Sequence, residues 1–86
     1  MVLNKENLRE LLIGTELWIA YQTRLPEKTR YLGIVDGYYC FGKPYNHNFY
    51  FLSEKNPEYA GNPNELVLHH ISTTYEECCE IMRKLF

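Results

Sequence analysis

The dipeptide Asp36-Gly37 constrains this chain more than any other pair of residues. A two-residue hairpin turn that suits the right-handed twist of its strands needs positive φ at both central positions, and Asp-Gly tolerates that. On either side lie β-forming runs, 30–35 (RYLGIV) and 38–42 (YYCFG). A turn at 36–37 predicts the register: Val35 faces Tyr38, Ile34 faces Tyr39, Gly33 faces Cys40 and Leu32 faces Phe41. Because strand residues alternate between faces, Leu32, Ile34, Tyr39 and Phe41 are expected on one side. Tyr31, Gly33, Val35, Tyr38 and Cys40 are expected on the other.

The rest of the chain reads outward from that hairpin. Asn4 is a good N-cap, Leu8, Leu11 and Leu12 follow at helical spacing, and Gly14 suits a C′ position, so a helix is expected at about 5–13. Alternation predicts strands at about 16–24 and 47–53, with Phe49 and Phe51 on one face of the latter and Tyr50 and Leu52 on its other face. Residues 54–64 are dense in Asn, Pro and Gly and read as a long loop. A fifth strand is expected at 65–71 (ELVLHHI) and a second helix at about 74–86. The latter has Thr74 and Glu77 at capping-box spacing and an apolar stripe of Cys78, Ile81, Met82 and Leu85. The fold class is therefore α+β: an antiparallel meander of four or five strands curled into a partly open barrel, with a short helix at each end.

At 86 residues the expectation is a single domain over 1–86. Small domains bury little of their surface, but 45% hydrophobic and 15% aromatic residues supply enough for one core. No apolar run approaches the ~20 residues that span a bilayer, and Met1–Glu6 lacks the layout of a signal peptide. Three cysteines, two of them adjacent, read as reduced thiols. Together these point to a cytoplasmic protein with no membrane partner.

Residues 13–53 resemble a small SH3-like barrel. The features that carry the likeness are the opening strand 14–20 (GTELWIA), the hairpin 33–38 (GIVDGY) and the aromatic strand 48–52 (NFYFL). A capped terminal helix after such a barrel is similar to many short proteins of phages and mobile elements. The resemblance implies a binder with no catalytic residue, and for a phage-encoded chain a place in the host cytosol. It also implies a natural job as an inhibitor of a host defence complex.

The residues themselves argue against several chemistries. Adjacent strand residues diverge, so His69 and His70 do not share a metal easily, nor do Cys78 and Cys79. Cys40 and His47 flank one loop, but Lys43 is the one nearby cation to activate the thiol. No phosphate-binding loop, nucleophile elbow or dinucleotide fingerprint is present. No metal, no cofactor and no enzymatic activity are expected. Arg24, Lys28 and Arg30 on a hairpin tip, with Lys43, offer a track for single-stranded nucleic acid. The net charge of −2 opposes it, because such affinity rests on neutralising phosphates.

Seven of the thirteen aromatics lie between Gly37 and Phe51. Tyr39, Phe41, Phe49 and Phe51 are expected in the core. Tyr31, Tyr38, Tyr45 and Tyr50 are then left for a second face, either covered by the terminal helices or serving as an amphipathic binding surface. His47, Lys43, Arg24 and Arg30 would supply polar contacts at its rim. The expected partner is a larger protein. A nucleotide-like small molecule, stacked on tyrosine with Arg24, Arg30 or Lys43 on its phosphate, is the alternative.

Overall fold

The computed structural model describes residues 1–20, 25–42, 49–57 and 68–85. The turn at its centre forms as expected: Asp36 has φ 51° and Gly37 φ 79°. It joins β2 (Glu27–Val35) to β3 (Tyr38–Gly42). With β1 (Glu16–Ile19), β4 (Phe49–Ser53) and β5 (Ile71–Ser72) they make one antiparallel sheet in the order β4-β3-β2-β1-β5. The sheet curls into a half-barrel flanked by α1 (Lys5–Arg9) and α2 (Tyr75–Leu85), an α+β architecture consistent with an SH3-like fold. No helix among the described residues is long and apolar enough to cross a membrane.

The inner face carries the core. Leu17 and Ile19 of β1, Tyr31 of β2, Tyr39 and Phe41 of β3 and Leu52 of β4 are buried together with Leu3, Leu8, Leu68 and Ile71. α1 is placed over this face by a reciprocal cap. Asn4 Oδ1 accepts from the Asn7 amide at 2.9 Å, and Asn7 Oδ1 accepts from the Asn4 amide at 2.7 Å. The expected span 5–13 shortens to Lys5–Arg9, closed at Glu10. Gly14 is therefore not a helix cap. Its φ of 93° instead turns the chain into β1, where its amide donates to the Tyr31 carbonyl at 2.8 Å. Leu12, beyond the last helical turn, is exposed.

The start of the chain also joins the sheet, which the sequence reading missed. Val2 bridges Ser72, and the Leu3 amide donates to the Ile71 carbonyl at 2.8 Å. At the other end, Thr74 caps α2: its hydroxyl accepts from the Glu77 amide at 3.3 Å and donates to the Glu77 carboxylate at 2.8 Å. The strand expected at 65–71 is corrected where it is described. Leu68–His70 is a short 3-10 helix, and β5 is Ile71–Ser72.

The hairpin register holds for Val35–Tyr38, Ile34–Tyr39 and Gly33–Cys40, then shifts. Tyr31, not Leu32, pairs with Phe41. Leu32 is the extra residue of a β-bulge, and Gly33 beside it takes φ 102°. The slip exchanges faces upstream of it.

Candidate functional site

The bulge corrects the expected aromatic surface. Tyr31 enters the core, 5% exposed, with its ring 5.6 Å from Phe41 and 6.4 Å from Tyr39. Burial pushes its hydroxyl pKa up. Leu32 moves to the outer side, half-buried. Ile34 keeps its partner Tyr39 but lies at the open end of the sheet and is exposed.

β4 is also reversed. Cys40 pairs with Phe51, and Tyr39 with Leu52, which seats Leu52 in the core and turns Phe51 outward. Tyr50 follows Leu52 to the inner side, where it packs against the core and donates its hydroxyl to Glu27 Oε2 at 2.5 Å. Tyr31 and Tyr50 are thus not surface tyrosines of the outer face. Tyr38 is, at 48% exposure. Tyr45, His47, Lys43 and Arg24 lie outside the described residues.

The structure places other side chains beside Tyr38. Val35 is its cross-strand partner and is 56% exposed; Phe51, 55% exposed, meets it edge-on at 6.4 Å and 79°. Leu32, Val35, Asp36, Tyr38, Cys40 and Phe51 line one shallow depression. Cys40 is its buried floor, with Sγ donating to the Tyr38 carbonyl at 3.5 Å. Gly33 is buried beside this depression. A methyl group added there would lie 3.1 Å from Ile13 Cδ1, so Ile13 occupies the space. Val35 is legible in sequence from the hairpin register. Phe51 is not, because its strand alternates aromatic and apolar residues on both faces.

Charge is distributed unevenly around the depression. On the β1 side, Glu16 Oε1 lies 3.2 Å from Lys28 Nζ and 3.4 Å from Arg30 Nη2. Lys28 also sits 5.7 Å from the Trp18 ring centre. Both described members of the expected basic cluster are therefore engaged. At the turn end, Asp36 and Glu54 line an adjoining hollow with Gly37, Tyr38 and Lys55.

The far end of the same outer face is covered by α2. Trp18 meets Tyr75 edge-on at 5.1 Å, and Cys78 and Ser72 are fully buried. Burial holds the Cys78 thiol up at about 11, with Cys79 adding to the shift and a hydrogen bond to Ser72 opposing it. A thiol protonated at neutral pH is a poor nucleophile. His70 is held below its ordinary value by burial and by His69. Among the described residues no three His, Cys, Asp or Glu side chains gather to hold a metal. The chain matches no protein-family model, no curated protein and no solved structure.

Proposed function

We propose that this chain is a small non-enzymatic binding protein that docks on a larger protein through the outer face of β2, β3 and β4. The observation that supports the reading is the cluster of Val35, Tyr38 and Phe51, each about half exposed, around the buried Cys40. Exposed apolar side chains scattered singly are ordinary, whereas a contiguous cluster such as this one is often functional. Tyrosine and phenylalanine there offer large contact area at low entropic cost. The nucleotide alternative is disfavoured by charge. Asp36 and Glu54 outnumber Lys55 in the hollow beside Tyr38 and repel phosphate, while Arg30 is already paired with Glu16. The finer reading, an inhibitor of a host defence complex working in the cytoplasm, rests on the resemblance to phage and mobile-element barrels.

Native mass spectrometry of the protein recovered from its own cells tests this. A second polypeptide retained at fixed stoichiometry, and lost from Tyr38→Glu/Phe51→Glu while circular dichroism is unchanged, is the expected result. Retention of a small molecule in its place, or a subunit held equally by the variant, removes the reading.

A further inference from the structure

The outer depression is small. A fully buried aromatic removes roughly 150–250 Å² from water, so three side chains already half covered offer on the order of 300 Å². A standard protein interface buries about 800 Å² on each partner. Two copies of this patch face to face would fall well short of that, and so would one flat globular contact confined to it. The area suits two or three apolar side chains of a single chain segment, resting on Cys40 between Tyr38, Phe51 and Val35.

The margins specify the charge of such a segment. Toward β1, Lys28 and Arg30 share the single carboxylate of Glu16, so one positive charge is left over and that margin repels a basic group. Toward the turn, Asp36 belongs to the depression itself and to the adjoining hollow that holds Glu54. Among the described residues neither acid forms an ion pair, and Lys55 is the basic residue beside them. An acidic or phosphorylated segment is repelled at this end, and a basic one is attracted.

Building on the docking reading above, we infer that this depression takes a short apolar segment of a partner protein, flanked by a Lys or Arg that sits against Asp36 and Glu54. Apolar burial on Tyr38 and Phe51 holds the segment, and the acidic margin sets its direction.

The test is a selection of random peptides displayed on phage against the full chain, with Tyr38→Glu/Phe51→Glu as counter-selection, followed by fluorescence anisotropy on a selected peptide. Enriched peptides are expected to carry two or three apolar residues beside Lys or Arg. Asp36→Asn/Glu54→Gln, in which Asn still suits the positive φ of the turn, should weaken binding by about three- to tenfold at low salt. High salt should close that difference. Peptides without a basic residue, or bound equally by Asp36→Asn/Glu54→Gln, overturn the inference. So does a selection that enriches nothing over the counter-selected variant. A dimer in sedimentation that Phe51→Glu dissociates would put a second copy on the patch and also overturn it. If native mass spectrometry still retains a subunit through Tyr38 and Phe51, the segment is rejected and the docking surface stands. If that retention fails too, both fall.

Discussion

Over β1 and β5 the outer face of the sheet is partly covered by α2. Trp18 meets Tyr75, and Ser72 and Cys78 have no contact with solvent. Over β3 and β4 the same face leaves Tyr38 and Phe51 half exposed. The two ends differ in cover: Ser72 and Cys78 are buried where α2 packs on the sheet, whereas Tyr38 and Phe51 stay half exposed. A helix is about 10 Å wide and strands lie about 4.8 Å apart, so one helix covers about two strands. α2 lies over β1 and β5, while α1 packs its Leu8 into the core on the inner face. Among the described residues, the cover that α2 gives this face lies over two of its five strands. At the other end Val35, Tyr38 and Phe51 keep about half of their surface exposed.

The sharpest way to break that contrast is to truncate one ring on each side of the sheet. Phe41→Ala, at a site with no exposure, should cost about 3–5 kcal/mol in urea unfolding. Phe51→Ala should cost within about 1 kcal/mol, as a surface change does. Equal losses would mean that Phe51 is covered and that the outer face has no open end.

Gly33 gives an intermediate effect and concerns the bulge that separates the faces. Its φ of 102° and the nearness of Ile13 make Gly33→Ala destabilising by about 1–3 kcal/mol. Adding Ile13→Ala relieves the contact but not the backbone strain. Full recovery of the urea midpoint in the double variant would assign the cost to packing and remove the strain argument.

Cys78 gives an effect confined to alkaline pH. Burial in the folded chain raises its thiol pKa from the ordinary 9.0 to about 11. Below the lower value both states are protonated and the group adds no pH dependence. Between the two, the unfolded chain releases its proton and the folded one does not, so stability falls as pH rises. Cys78→Ala should lose that alkaline slope. Cys79, half-buried beside it, should be alkylated by iodoacetamide well before Cys78. Rapid labelling of Cys78 in the folded protein would mean that α2 does not seal its end of the sheet.

Much of this was readable in advance. The Asp36-Gly37 turn, the Asn4 and Thr74 caps, the antiparallel meander and the capped second helix all depend on local chemistry: positive φ, hydroxyl or amide acceptors, and alternation. Tyr38 and Val35 could be placed on one face because a two-residue turn leaves no freedom in the pairs next to it. Tyr31 and Leu32 could not, since a bulge adds one residue with no composition signal except the glycine that follows it. The exposed Leu12 and Ile34 were misread for a related reason, because spacing predicts a face and not where the neighbouring element ends.

Sequence by itself determined that β4 has two apolar faces, one with Phe51 and one with Tyr50 and Leu52. It could not decide which faces the core. β3 ends at Gly42 and β4 starts at Phe49, too far apart in sequence for a two-residue turn to dictate their register, and a shift of one residue costs nothing in pattern. Tertiary structure decided it by pairing Cys40 with Phe51 and Tyr39 with Leu52, which sets Leu52 among the core side chains and leaves Phe51 beside Tyr38. Local chemistry made the strands; long-range pairing chose which of their rings would face water.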